Sequence, residues 1–157
     1  MRRMMTEKEI AVVDGLKNEG IASLTDKDGN KRFIEGNGDV ATAVEGLTII
    51  YNKWSLSGSH IMFVLVGTFA NGTELAVNTD LVSYTLPTWI LNKIIPVWGV
   101  NIENKNFTAY ANDWSIQTST MALRKIDNKI SIRATSAVTF TAERSFRIQF
   151  DLLIDAD

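Results

Sequence analysis

The sequence predicts an all-β protein, and three observations carry that reading. Short runs rich in Val, Ile, Phe and Thr recur at intervals of about 8–12 residues between turn signals, the pattern of a sandwich or barrel. The last run alternates: Phe146, Ile148, Phe150 and Leu152 interleave with Arg147, Gln149 and Asp151, as in a strand buried on one face. No helical segments alternate with the strands, so a parallel βαβ sheet is not expected. The predicted architecture is a jelly-roll-like antiparallel β-sandwich head preceded by a short N-terminal α-helix and a hairpin.

The helix is placed first. Thr6 and Glu9 have capping-box spacing, in which each side chain satisfies an orphan backbone N–H. Ile10, Val13 and Leu16 then recur at helical spacing, and Gly20 suits the left-handed position that ends a helix. A helix this short is marginal alone. Its apolar stripe packs either on the protein's own body or on the same helix of sister subunits. A hairpin follows, with residues 21–24 and 32–34 flanking Asp26-Lys27-Asp28-Gly29-Asn30. That string looks calcium-like, but the sixth and twelfth positions of an EF-hand loop would be Lys31 and Asn37 rather than Gly and Glu, so it is read as a turn. Gly36 and Gly38 mark a flexible joint. The chain is divided there into an assembly segment, 1–39, and a head, 40–157.

Within the head, strands are expected at 48–51, 61–69, 74–77, 81–85, 107–111, 114–124, 129–135 and 146–152. Asn71-Gly72 is the clearest hairpin signal, and Asp127-Asn128 marks a second turn. The stretch 89–100 is apolar but carries Asn92, Lys93 and Pro96, so it reads as a loop feeding a strand.

Composition narrows the chemistry. The chain has 157 residues, no cysteine and one histidine, His60. Disulfides, thiolate metal sites and cysteine nucleophiles are thereby excluded, and one histidine does not make a zinc site. No metal and no cofactor is expected. Net charge is −2, and basic pairs such as Arg2–Arg3 and Arg124–Lys125 stand isolated, so nucleic acid is not an expected partner. Thr6-Glu7-Lys8-Glu9 occupies the place where a signal peptide needs apolar residues. The longest strongly apolar run, Ile61–Val66, is far short of the roughly 20 residues of a spanning helix. A soluble chain without membrane insertion is expected. His60 follows Ser57-Gly58-Ser59, but no Gly-x-Ser-x-Gly elbow exists, and most carboxylates fall in turns. The chain is read as not an enzyme.

The four tryptophans are the positive binding signal. Sugars stack their C–H faces on indoles, while Asn, Asp and Arg supply hydrogen bonds. Trp54, Trp89 and Trp98, with His60 and Tyr110 as neighbours, form the candidate saccharide site, and Trp98 is the first choice. Core filling is the competing role for each, since indoles are usually largely buried. Trp114 shares strand parity with Ile116, which points it inward. The Ser- and Thr-rich strands around 118–122 and 134–139 suit either a subunit contact or an exposed face.

A family likeness is carried by Tyr84-Thr85-Leu86-Pro87-Thr88-Trp89, then Ile95-Pro96-Val97, then the closing run Ser145-Phe146-Arg147-Ile148-Gln149-Phe150. Trp54-Ser55-Leu56-Ser57-Gly58 adds to it. With these motifs, the chain resembles small baseplate or receptor-binding proteins of siphophages infecting Gram-positive bacteria. It departs from many of them in lacking a collagen-like Gly-X-Y stretch or a long heptad stalk. The resemblance implies a homotrimer, assembled in the host cytoplasm and placed at the virion tail tip. It also implies contacts with other tail or baseplate proteins and binding of host cell-wall saccharide by the head. The Ile10, Val13 and Leu16 stripe would then join subunits. A structural baseplate or adaptor protein without a ligand, or a free-standing carbohydrate-binding module, are the alternatives.

Overall fold

The computed structural model describes residues 22–25 and 31–155. The expected N-terminal helix, with Ile10, Val13 and Leu16, lies outside the described residues, as does the turn at 26–30. Two strands open the described chain, β1 (Ala22–Thr25) and β2 (Lys31–Asn37). There follow β3 (Asp39–Val40), β4 (Leu47–Ser57), β5 (His60–Phe69), β6 (Glu74–Leu75) and β7 (Asp80–Tyr84). A single helical turn, α1 (Thr88–Leu91), precedes β8 (Asn101–Tyr110), β9 (Ile116–Ile126), β10 (Lys129–Ala134), β11 (Val138–Thr139) and β12 (Arg144–Leu153). The protein is all-β, as expected.

Ten strands form one antiparallel sheet in the order β1-β2-β4-β5-β12-β8-β9-β10-β7-β3. Gly38 alone separates β2 from β3. Because β2 pairs with β4 while β3 pairs with β7, one stretch of chain bridges the two margins and the sheet curls round on itself. The Gly-rich stretch 35–39, expected as a joint, is thus woven into the sheet, and Ile34 belongs to the same core as the residues after 40. Curling buries a side-chain row of the long strands β5, β9, β10 and β12, as closure of a small barrel requires. Phe63, Leu65, Leu123, Ile132, Ile148 and Phe150 fill the interior. Around Phe69 the packing is aromatic: its ring stacks on Phe140 at 4.0 Å and Phe146 at 4.6 Å. The opposite end is plugged by α1, where Ile90 and Leu91 are buried and Lys125 Nζ donates to the carbonyls of Leu91 (2.9 Å) and Ile94 (3.1 Å).

Three elements depart from the sequence reading for identifiable reasons. Asn71-Gly72 makes its turn, with Gly72 at φ +85°, but β6 does not return along β5. Both edges of β5 are occupied by β4 and β12, so β6 pairs with β11 instead. The strand expected at 48–51 continues to Ser57 as β4. A bulge at Ile50 reverses side-chain parity there and hides the alternation. The polar stretch before Phe107 is strand because it pairs with β9, a tertiary contact that overrides weak local propensity. Asp127 and Asn128 behave as expected, both at positive φ in the two-residue turn between β9 and β10.

Candidate functional site

The structure separates the residues singled out in the sequence. Trp54 is 1% exposed and sits inside the sheet, opposite Phe63 on β5. Its neighbour across the other edge is Gly36, where a Cβ would lie 2.5 Å from the indole Nε1. The glycine makes room for the ring, and Trp54 is a core residue rather than a platform. Trp89, in α1, is half-buried against the core. Trp98 is 78% exposed in the loop before β8, flanked by the exposed apolar side chains of Ile95 and Val97. His60 opens β5 at the same end, exposed, with Nε2 2.9 Å from Asp151 Oδ1. Tyr110 closes β8 at the other end, about 30 Å away along a ten-residue strand. Tyr110 and Trp98 therefore belong to two different surfaces.

Trp114 completes the surface around Tyr110, contrary to the inward orientation expected of it. The strand expected from residue 114 begins only at Ile116, so strand parity does not reach Trp114, which lies in the preceding loop and is 81% exposed; Ile116 itself faces outward. The indole stands edge-on to the Tyr110 ring, with centroids 6.5 Å apart and planes at 74°. Tyr110 pairs directly with Ile116 across β8 and β9. Trp114 also adopts φ +65°, a left-handed backbone that costs a bulky residue roughly 1–2 kcal/mol. Strain of this kind persists only where the surroundings over-determine it.

Those surroundings are a polar network. The 111–115 loop closes on itself, with Trp114 N donating to Ala111 O (3.0 Å) and Ala111 N to Ser115 O (3.0 Å). Asp113 Oδ1 accepts from both the backbone N–H (3.0 Å) and the hydroxyl (2.6 Å) of Ser115. These bonds, with a smaller contribution from the charge of Arg144, hold the Asp113 carboxyl below the usual carboxylate range. Beneath the loop lies Arg144, 5% exposed. It donates from Nε to Gln117 Oε1 (2.6 Å) and from Nη1 to Ser115 O (2.7 Å). Gln117 in turn donates to Thr139 O (2.9 Å) and accepts from Thr141 N (2.9 Å). The loop is thus pinned from below to the 139–144 segment.

The result is a fixed aromatic ledge, Trp114 with Tyr110, beside the exposed polar side chains of Asn112 and Asp113. The surface can stack a flat apolar face and hydrogen-bond its rim. Arg144 and Gln117 escaped the sequence reading, although both lie on the inward parity of their strands. Arg144 precedes Phe146 and Ile148 by two and four positions, and Gln117 precedes Ser119 and Met121 likewise. Among the described residues, no cluster of three or more His, Cys, Asp or Glu side chains is placed to hold a metal ion, and no helix is long and apolar enough to cross a membrane.

No family model matches the chain, and no curated protein matches it. Among solved structures, the fibre head protein of bovine atadenovirus type 4 is similar at a TM-score of 0.40 and 14% identity, covering 75% of this chain and 97% of that one. At that distance the likeness says nothing of function, which rests on the site itself.

Proposed function

We propose that this protein is a tail-tip adsorption protein of a phage infecting Gram-positive bacteria, whose β head binds host cell-surface saccharide without catalysis. In this reading it works as a homotrimer among other tail or baseplate proteins, assembled in the host cytoplasm and carried on the virion. The observation that carries the proposal is Trp114, a highly exposed indole held in strained backbone by a polar network anchored on the buried Arg144. A protein has little reason to fix an apolar side chain in water at that cost unless the side chain meets something. Aromatic face plus polar rim is the chemistry that stacks and hydrogen-bonds a sugar. Single stacked sugars bind weakly, and a trimer would raise adsorption by presenting linked sites. Trp114→Ala is expected to remain folded and to lose adsorption to purified cell walls. Unchanged adsorption would overturn the reading.

A second reading has one observation in its favour. Ile95, Val97 and Trp98 are exposed together at the opposite end, and their apolar neighbours fit a protein contact better than a sugar. A purely structural baseplate protein would use that surface, and Trp114→Ala would then leave adsorption untouched.

A further inference from the structure

The Trp114 ledge continues into a second feature. On the outer face of β8 and β9, cross-strand pairs run away from Tyr110–Ile116 in order: Thr108–Thr118, Asn106–Thr120, Asn104–Ala122. Alternation places all of these on the same face as Tyr110. Successive pairs step about 7 Å along the strands, and the two strands lie about 5 Å apart. Asn104, Asn106 and Thr118 are exposed and Thr108 is half-buried. Among the described residues, none of these four side chains has a hydrogen bond within the protein. Thr120 is different, since its hydroxyl meets those of Thr135 (2.6 Å) and Ser136 (3.2 Å). Ala122, at the far end, is buried, so the accessible row ends at Asn104.

No ionisable side chain lies in this row. Lys105 has the opposite parity and donates to Gln149 O at 2.6 Å on the β12 side. Arg124, beyond Ala122, lies 3.9 Å from Asp80. The row offers only amides and hydroxyls, groups that both donate and accept. The row itself carries no cation for a phosphate-bearing polymer, and the exposed Arg147 on the neighbouring β12 is engaged with Gln149 Oε1 at 2.9 Å. The row also lacks the apolar centre of a stable subunit contact.

We infer that the occupant of this face is a linear, uncharged polysaccharide, with one sugar stacked on Trp114 and the following units lying along the Asn104–Thr108 row. The inference rests on the saccharide reading above and specifies its ligand as a neutral chain of several units rather than a single sugar or an anionic polymer.

Calorimetric titration of the full chain tests it. The probes are cello-, chito- and manno-oligosaccharides of two and six units, and polyglycerol phosphate of comparable length. At least one uncharged hexamer is expected to bind about ten-fold tighter than its dimer, the gain from one or two added hydrogen-bonded contacts. Asn106→Ala and Thr118→Glu are expected to remove that length dependence while sparing dimer binding, and polyglycerol phosphate is expected not to bind. Equal affinity for dimer and hexamer, binding of no uncharged series, or tighter binding of polyglycerol phosphate would each overturn it. So would a change of oligomeric mass on Thr118→Glu, which would make the face a subunit contact. Dimer binding that is abolished by Trp114→Ala but shows no length dependence would overturn this inference while leaving the proposed function standing.

Discussion

Arg144 reaches from the first residue of β12 to the carbonyl of Ser115, 2.7 Å from its Nη1, and so fixes from beneath the loop that carries Trp114. The acceptors it contacts are neutral: Gln117 Oε1, Ser115 O and, at 3.4 Å, Ser115 Oγ. A buried guanidinium held in this way links the interior to the ledge.

Arg144→Met should therefore do more than remove a charge. It removes two charge-assisted hydrogen bonds, to Gln117 Oε1 and Ser115 O, each worth about 1.5–3 kcal/mol, while Thr141 N and Ala111 N still donate to those acceptors. Chemical denaturation should show a loss of about 2–4 kcal/mol. Hydrogen exchange should speed up at 111–117 more than in β5. Unchanged exchange in the loop would mean that Arg144 does not set its conformation.

Tyr84 behaves in the opposite way. Its ring is buried against Phe63, with centroids 5.1 Å apart, and among the described residues its hydroxyl has no hydrogen-bond partner. Burial pushes the phenol well above its usual range. Tyr84→Phe removes an unsatisfied group while keeping the packing, and should be neutral or stabilising by up to about 1 kcal/mol. A clear loss of stability would show that the hydroxyl is satisfied in solution.

Acid should weaken the outer face of the β7–β10 pair. Arg133 holds Asp80 through two bonds, Nε to Oδ1 at 2.8 Å and Nη2 to Oδ2 at 2.9 Å. The hydrogen bond from Arg133 lowers the Asp80 carboxyl below its ordinary 3.8, against the opposing effect of burial. A depressed folded-state value gives stability that is present above the unfolded value and lost as pH falls through the folded one. Thermal melts of the parent should drop steeply below about pH 4, and Asp80→Asn should show a shallower drop. Parallel curves would remove this pair as a contributor.

The Ile10, Val13 and Leu16 stripe bears on assembly. A chain lacking residues 1–20 should sediment as a monomer at micromolar concentration while the full chain sediments as a trimer. If the full chain is itself monomeric, neither the trimer nor its avidity survives.

How much of this was legible in the sequence follows from what pattern encodes. The alternation of β12 and the Asp127-Asn128 turn are local, and both read directly. Trp114 shows the limit of parity, which holds only inside a strand: β9 begins at Ile116, and the left-handed loop before it sets the indole's direction independently. Asn71-Gly72 shows the limit of turn chemistry, which fixes where the chain bends but not which edge is free to receive it. The inward row of β12 does contain Arg144, so alternation extended by one position would have flagged a buried cation. Nothing local marks Trp114 for a left-handed backbone, a position where Gly or Asn is the usual occupant. That position is imposed by the closed 111–115 loop and its anchors.

The central claim is that Trp114 is kept in strained, exposed backbone for binding rather than for folding, and Trp114→Gly tests it most directly. Glycine tolerates φ +65° without the steric penalty, offset in part by its greater freedom in the unfolded chain. The account predicts a melting temperature equal to or above that of the parent, together with loss of adsorption to purified cell walls. A lower melting temperature with adsorption intact would contradict it, because the indole would then be serving the fold and not a ligand.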